Sequence, residues 1–194
     1  MVIPASGATH ALSAPSPWIA RWSHLLEPGC EVLDVACGSG RHLQWFASRS
    51  HPVFGVDQNI ASARDLVPGA ELAQADIENG PWPFVTPQGP RTFGAVVVTN
   101  YLWRPLLPVL LQSLAPGGLL LYETFAAGNE TVGRPARPDF LLQPGELLRV
   151  CSNLQVVAYE NGFLPDPDRF AQRIAAFAAP LPAPGAAAMP RHTL

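Results

Sequence analysis

The sequence predicts an α/β fold with a doubly wound, mostly parallel seven-stranded sheet and helices on both of its faces. The first observation is that short apolar segments alternate with amphipathic or leucine-rich segments along most of the 194-residue chain. The second is that the apolar segments are hydrophobic almost throughout, instead of alternating with polar residues. Continuous apolar strands connected by helices are typical of parallel sheets that are buried on both faces.

The individual elements follow from local patterns. Apolar residues recur at helical spacing from Trp18 to Leu26, which predicts an amphipathic helix that ends at Pro28-Gly29. Residues 126–142 interrupt the order of strands and helices with glycines and prolines, and a loop of this length is usually functional or disordered. Further helices are predicted around Leu43–Phe46 and over 59–66, 104–114 and 144–151, and strands over 31–36, 53–56, 71–75, 92–99, 119–125, 154–159 and 170–177.

One domain is expected to contain these elements. A chain of 194 residues is close to the usual domain size and can bury a sizeable core. We expect residues 1–178 to form a single domain whose first 14 residues are flexible. The Ala/Pro-rich residues 179–194 are predicted to be a disordered tail.

Composition and charge argue against several classes of function. The net charge is -3 and no run of basic residues occurs, so we expect no nucleic-acid partner. Every apolar run is shorter than the ~20 residues needed to cross a bilayer, so no membrane association is expected. The three cysteines form no C-x-x-C pair, which predicts a reducing compartment and a cytoplasmic location. No His, Cys and Asp residues cluster at ligand spacing, so no metal site is expected. The oligomeric state is not encoded in any of these features.

A glycine-bearing turn follows the first strand. In the segment VLDVACGSG, Asp34 lies near the end of the strand, and Gly38 and Gly40 lie in the turn into the next helix. Glycines there let a ligand approach the backbone closely, and the helix N-terminus favours negative charge. A dinucleotide-binding turn requires a third glycine at position 43, which is Leu43 here, so the pattern disfavours a nicotinamide dinucleotide.

Acidic residues also follow the second and third strands. Asp57 closes the second strand, where a carboxylate can accept hydrogen bonds from the two hydroxyls of a ribose. Asp76 follows the third strand. Because ligands of open α/β sheets bind outside the carboxyl ends of the strands, Asp34, Asp57 and Asp76 are expected to lie at one ligand-binding edge.

Together these motifs resemble the class I S-adenosylmethionine-dependent methyltransferases. The resemblance rests on LDVACGSG, VFGVDQN, QADIENG, FGAVVVTNY and LAPGGLLLYETF, in that order within residues 32–125. A narrower resemblance, on CGSGR and the compact size, is to the bacterial tellurite-resistance-like methyltransferases. One position departs from the family pattern, because Ala36 stands where the first glycine of the turn is usual. Alanine would be strained there if the backbone needs a positive φ.

The resemblance implies a Rossmann-like fold, S-adenosylmethionine as cofactor, and a role for each motif. The glycine turn would hold the methionine moiety, the acid after strand two the ribose, and the acid after strand three the adenine amine. The acid of strand one would lie near the amino group, and the residue after strand four near the reacting methyl. By position, the implied cofactor-binding residues are Asp34, Ala36, Gly38, Gly40, Asp57, Gln58, Asp76, Ile77 and Asn100.

Acceptor and catalytic residues are less defined by pattern. Methyl transfer to a soft anion or thiolate needs no base, whereas a hydroxyl or ammonium acceptor needs one, and Tyr101 beside Asn100 is the candidate. Trp103 is predicted either to line the acceptor pocket or to pack in the core. Arg134 and Arg137 can bind an anionic small-molecule acceptor through forked hydrogen bonds. The alternative is a rigid loop whose arginines pair with the acidic residues at 130 and 139.

Other interpretations remain open. His24 and His42 are expected to be packed or solvated rather than catalytic, and Cys37 to be a small core residue. A binding module that has kept the cofactor fold without turnover would carry the same motifs. A nicotinamide-dependent oxidoreductase is the remaining alternative, and Leu43 disfavours it.

Overall fold

The computed structural model describes residues 14–179, so the predicted flexible start and disordered tail lie almost entirely outside the described residues. The helices are α1 Pro17–Trp22, α2 Arg41–Ala47, α3 Ala61–Leu66, α4 Leu107–Gln112 and α5 Glu146–Val150. The strands of the main sheet are β1 Val32–Val35, β2 Val53–Asp57, β3 Glu71–Gln74, β4 Phe93–Thr99, β5 Leu114–Phe125, β6 Gln155–Leu164 and β7 Arg169–Phe177. No helix among these residues is long and apolar enough to span a bilayer.

The main sheet has seven strands in the order β3-β2-β1-β4-β5-β7-β6, which confirms the predicted fold class. Strands β1 to β5 run parallel, and β7 is antiparallel to both β5 and β6. The chain winds outward from β1 in one direction and from β4 in the other. Val35 therefore pairs with Val56 of β2 on one side and with Val98 of β4 on the other. This switch in direction opens a crevice at the carboxyl ends of β1 and β4, where such sheets bind ligands.

Two apolar layers cover the sheet. On one face, Trp18 of α1, Phe46 of α2 and Ala63 of α3 are buried against the strands. On the other face, Leu110 of α4 and Leu147 of α5 are buried. Burial on both faces explains why the central strands β1, β2 and β4 are apolar along most of their length.

Several element boundaries differ from the prediction. α1 ends at Trp22, and a 3-10 turn over Ser23–Leu25 replaces the predicted final helical turn. The helix predicted over 104–114 begins as a 3-10 turn and becomes α-helical only at Leu107, because prolines at 105 and 108 lack the N–H that a helix needs. β5 starts at Leu114 rather than at 119, because Leu114 already pairs with Phe93.

One strand is longer than predicted, and one small hairpin was not predicted. β6 extends to Leu164 and forms a long hairpin with β7. A two-stranded hairpin, Val85–Thr86 with Gly89–Pro90, lies between β3 and β4. Its strands have only two residues each, too few for an alternating pattern to be recognised in the sequence.

The segment 126–142 is an ordered loop. It contains 3-10 turns at Asn129–Thr131 and Pro138–Phe140, and its two ends are joined by a bridge between Ala126 and Leu142. The buried Asn129 donates from Nδ2 to the carbonyl of Pro135 at 2.9 Å and accepts the N–H of Phe170 at 3.1 Å. These bonds tie the loop to itself and to the start of β7.

Candidate functional site

A pocket of about 220 Å³ lies at the carboxyl edge of β1, β2 and β3. The structure brings together five of the residues that the sequence placed at the site, and two neighbours. The lining consists of Ala36, Asp57, Gln58, Ala75, Ile77, Glu78 and Tyr101. Of the three acids predicted to share one ligand-binding edge, Asp57 lines this pocket, whereas Asp34 and Asp76 are not among its lining residues.

Asp57 organises this edge through backbone hydrogen bonds. Its Oδ2 accepts the N–H of Gly38 at 2.9 Å, and its Oδ1 accepts the N–H of Asn59 at 2.9 Å. The carboxylate thus joins the turn after β1 to the turn after β2. Because each carboxylate oxygen has two acceptor sites, each can still accept one hydroxyl, as a ribose diol requires.

The turn after β1 has the left-handed conformation that the sequence suggested. Gly38 has φ +53° and Gly40 has φ +86°. A Cβ on Gly40 would lie 3.1 Å from Ala63 of α3, a tight contact that adds to the conformational preference for glycine there. Ala36 has φ +54°, which confirms that alanine is strained at this position. Such a residue costs ~1–3 kcal/mol, and strain of this kind is concentrated at functional sites.

Asp76 is held by hydrogen bonds within the turn that follows β3. Its Oδ1 accepts the N–H groups of Glu78 and Asn79, and its Oδ2 accepts the Asn79 side chain at 3.0 Å. These bonds, the Asn79 side chain first, hold the pKa of Asp76 below its usual value. Asp76 therefore shapes the turn, whereas Ile77 and Glu78 line the pocket. A contact between Asp76 and an adenine amine stays a prediction.

Asp34 is a buried carboxyl group without a partner. Its side chain is 1% exposed, and neither oxygen has a hydrogen-bond partner among the described residues. Burial raises its pKa to about 8, although Arg41 partly opposes the shift. The nearest titratable nitrogen is Nδ1 of His42, 3.8 Å from Oδ2. An unpaired acid directly before the glycine turn is suited to a cationic amino group, such as that of the implied cofactor.

The three predicted site residues that follow β4 have different surroundings. Asn100 has φ +54°, and its N–H donates to the carbonyl of Glu123 in β5. Tyr101 lines the same pocket as Asp57, and its hydroxyl is buried without a hydrogen-bond partner in the part of the chain that the structure describes. Burial, followed by the nearby carboxylate of Glu78, raises the pKa of Tyr101 above its usual range. Trp103 is half-buried against the apolar layer of α4, so its acceptor role stays a prediction.

The two loop arginines line a second, open cleft of about 700 Å³. Arg137 pairs with Asp139 at 2.8 Å, as the rigid-loop alternative predicts. No ion pair joins Arg134 to Glu130 within residues 14–179, because Glu130 instead accepts the N–H of Gly128. The cleft is completed by Phe125, Pro135, Ala136 and Phe140, which give it an apolar wall.

Arg104 holds the second half of the loop, and sequence reasoning missed it. Its Nε donates to Glu146 Oε1 at 2.7 Å and its Nη2 to Glu146 Oε2 at 3.0 Å. Its remaining donors reach the carbonyls of Asp139 at 2.8 Å and Leu141 at 3.0 Å. These partners are 35 to 42 positions away in sequence, so no local pattern indicates the contact.

Comparison with known proteins gives a family model that matches part of the chain, and solved structures with a common fold. Residues 32–118 match the family model described as a methyltransferase domain, which covers β1 to the first part of β5. No curated protein sequence matches the chain.

Solved structures share the architecture at low sequence identity. TehB from Haemophilus influenzae has 18% identity and a TM-score of 0.67, over 82% of this chain and 61% of that chain. The chain thus spans about three fifths of TehB. A SAM-dependent methyltransferase from Methanosarcina mazei has 16% identity and a TM-score of 0.65, over 87% of this chain and 100% of that chain. The [4+2]-cyclase SpnF has 14% identity and a TM-score of 0.59, over 80% and 77%. At these identities the likeness shows the fold alone.

Proposed function

We propose that the chain is a class I S-adenosylmethionine-dependent methyltransferase, because residues 32–118 match the methyltransferase-domain model, and that it transfers the methyl group of S-adenosylmethionine to a small-molecule acceptor. The observation that carries the proposal is the carboxylate of Asp57, which accepts the N–H of Gly38 and faces the pocket between Ala36 and Ile77. This arrangement matches the needs of an adenosyl ligand whose ribose lies on Asp57 and whose amino acid part lies on the glycine turn.

Positioning is the main contribution that these residues can make. The bound cofactor supplies a methyl group on a sulfonium, which is already activated toward in-line displacement. The chain holds the ligand by the Asp57 carboxylate and the turn from Ala36 to Gly40, and the unpaired Asp34 suits the amino group. Correct orientation of two reactants is worth up to ~7–11 kcal/mol of the barrier.

The groups nearest the site are poor bases at neutral pH. Burial lowers the pKa of His42 to about 3, and its Nε2 already accepts the N–H of Ser16. Tyr101 stays protonated because its pKa is raised. We therefore propose an acceptor that attacks without a general base from these residues, such as a thiolate or another soft anion.

The arginine cleft is the proposed acceptor-recognition surface. Arg134 and Arg137 offer guanidinium groups beside the apolar wall of Phe125 and Phe140, which suits a small anion with an apolar body. Arg134→Ala and Arg137→Ala should raise the Michaelis constant of the acceptor and leave cofactor affinity unchanged. Wild-type kinetics in both variants would remove the cleft from acceptor binding.

The location and extent of the protein are also proposals. Cys30, Cys37 and Cys151 are free thiols, and their number and spacing support a reducing compartment, which we take to be the cytoplasm. We propose that residues 1–178 act as one domain and that no nucleic acid takes part.

Ligand-induced stabilisation tests the proposed cofactor. S-adenosylhomocysteine at 100 times its dissociation constant should add ~2.7 kcal/mol to the free energy of unfolding. For a chain of this size the melting temperature should rise by roughly 5 to 10 °C. A rise in the melting temperature with NAD, and no rise with S-adenosylhomocysteine, would overturn the proposal.

The similarity to SpnF, a [4+2]-cyclase, motivates a second measurement. This fold is compatible with a reaction other than methyl transfer, so cofactor binding alone does not identify the activity. Incubation with S-adenosylmethionine carrying a labelled methyl group should transfer the label to a small molecule in a cell extract. Tight cofactor binding without transfer of label would favour the binding module without turnover.

A further inference from the structure

A row of buried polar side chains crosses the carboxyl end of the sheet on the face covered by α1 and α2. Most members lie at or near the ends of different strands, and two come from the helices above them. The polar row consists of Asp34 of β1, Thr99 of β4, Glu123 of β5, His42 of α2 and Ser16 directly before α1, and the partly buried Arg173 of β7 adjoins it.

The hydrogen bonds of His42 define the protonation of its ring. The side chain is 2% exposed, and its Nε2 accepts the N–H of Ser16 at 3.1 Å. That nitrogen therefore carries no proton, and the neutral ring has its proton on Nδ1. Nδ1 lies 3.5 Å from Oγ1 of Thr99 and 3.8 Å from Oδ2 of Asp34.

Ser16 attaches the start of α1 to two other elements. Its N–H donates to His42, and its hydroxyl donates to Oε1 of Glu123 at 2.9 Å. The same hydroxyl oxygen accepts the N–H of Trp18 at 3.2 Å and so caps α1. Glu123 is held in turn by Arg173, 3.2 Å from its Oε2. One residue therefore links α1, α2 and β5.

The position of His42 connects this attachment to the glycine turn. It is the second residue of α2, and Gly40 of the turn is the N-cap of the same helix. Its Nδ1 side faces Asp34, the unpaired acid before the turn, and its Nε2 side faces Ser16. A charge that forms on Asp34 attracts the Nδ1 proton and so favours the tautomer whose Nε2 accepts from Ser16.

We propose that His42 is a positioning residue, which couples ligand binding at the glycine turn to the docking of Ser16 and α1. The proposal rests on the proposed function, because it takes the adenosyl cofactor as the ligand of that turn. Coupling of this kind is reciprocal: the ligand strengthens the docking of α1, and docked α1 strengthens ligand binding by the same factor.

Calorimetry and amide hydrogen exchange, both with S-adenosylhomocysteine, test the coupling. In the wild type, the ligand should slow exchange in the α1 segment, residues 16–22, by about tenfold or more. His42→Leu should bind the ligand about five- to tenfold more weakly, and its α1 exchange should no longer respond to the ligand. His42→Gln should restore both, because its amide oxygen can accept the N–H of Ser16.

Two further variants separate coupling from folding. Phe46→Leu alters a buried side chain of the same helix that lies outside the polar row and packs edge-on against His51, so it should lower stability and keep the response of α1 to the ligand. His42→Asn retains a polar group on the Asp34 side but is too short to reach Ser16. It should lose the response, and it provides the test if His42→Leu does not fold.

Two outcomes would overturn the proposal. One is that wild-type protein binds S-adenosylhomocysteine without any change in the exchange of residues 16–22. The other is that His42→Leu and His42→Asn bind it as tightly as the wild type. Failure of the wild type to bind S-adenosylhomocysteine is a different result, because it would refute the proposed function itself.

Discussion

The pocket around Asp57, which we propose as the nucleoside side, and the arginine cleft, which we propose as the acceptor side, are built in different ways. On the nucleoside side, Asp57 bonds to Gly38, 19 residues away, and to Asn59, two residues away. Beside the arginine cleft, Arg104 fixes the loop through partners 35 to 42 residues away. The proposed cofactor contacts thus lie in short motifs, whereas the proposed acceptor side depends on contacts between distant parts of the chain. The second side can change its specificity while the motifs stay the same.

Asp57→Ala should have the largest effect, and it should be confined to the nucleoside side. The substitution removes the acceptor for the ribose and the bonds that join the two turns. Loss of hydrogen bonds to a charged group costs ~1.5–3 kcal/mol, which corresponds to a 10- to 150-fold weaker affinity for S-adenosylhomocysteine. Isothermal titration calorimetry measures it. Asp65→Ala, which removes an exposed carboxylate of α3, is the control and should bind normally. Unchanged affinity in folded Asp57→Ala would remove Asp57 from the site.

Asp34→Asn should change how stability depends on pH. Burial raises the pKa of Asp34 to about 8, above the ~3.9 of an unfolded chain. The folded state therefore binds the Asp34 proton more tightly than the unfolded chain does. The stabilisation that results is fully present below pH ~4 and is lost as pH rises to about 8. His42, whose pKa is lowered to about 3, has the opposite effect, but only below pH ~6.5.

Between pH 6.5 and 8, Asp34 is therefore the one of these two groups that changes the free energy of unfolding. The ligand-free wild type should lose stability as pH rises through this range. Asp34→Asn should remove this decline and be more stable than wild type by ~1–3 kcal/mol at alkaline pH, the cost of an unpaired buried group. Urea unfolding at several pH values measures the difference. Equal pH slopes for the two proteins would contradict the assignment.

Arg104→Ala should loosen the acceptor side without affecting the nucleoside side. The guanidinium bonds to Glu146 and to the carbonyls of Asp139 and Leu141, but its side chain is 38% exposed, so solvent weakens these bonds. We expect a loss of ~1–2 kcal/mol in the free energy of unfolding and faster amide exchange over 138–142. Affinity for S-adenosylhomocysteine should be unchanged. Arg137→Ala removes a fully surface ion pair and serves as the control, with less than ~0.5 kcal/mol expected.

The contrast between partners that are close in sequence and partners that are far apart also explains which features could be predicted from the sequence. The strand–turn–helix unit around Gly38 and Gly40, and the site of Asp57, follow from adjacent residues whose conformation and spacing are characteristic. The strain at Ala36 was also predictable, because its position in the turn requires a positive φ. The roles of Ser16 and Arg104 were not, because their partners lie far away in the chain.

Local patterns identify polar residues but not the hydrogen bonds that these residues form. Asp76 matches the family position for an adenine contact, and its oxygens accept bonds from Glu78 and Asn79, so the adenine contact stays a prediction. The arginines of the loop match an ion-pair pattern with Glu130 and Asp139, but only the second pair forms. A motif identifies the residue type, whereas the competing hydrogen bonds determine what the side chain contacts.

Tyr101→Phe should have the smallest effect and should show to which side the residue after Asn100 belongs. The phenol lines the pocket with Asp57 and Ile77, and its hydroxyl is buried without a partner. Its pKa is raised, so the group is a hydrogen-bond donor at neutral pH and not a base. As a ligand contact, the hydroxyl is worth ~0.5–1.5 kcal/mol, and its loss should weaken S-adenosylhomocysteine about two- to tenfold. The kcat of methyl transfer at saturating cofactor should stay at the wild-type value.

If Tyr101 were instead the general base, affinity would be unchanged and kcat would fall by ~10²–10⁴-fold. Calorimetry and steady-state kinetics on the same variant distinguish the two, and a fall in kcat alone would move Tyr101 to the acceptor side.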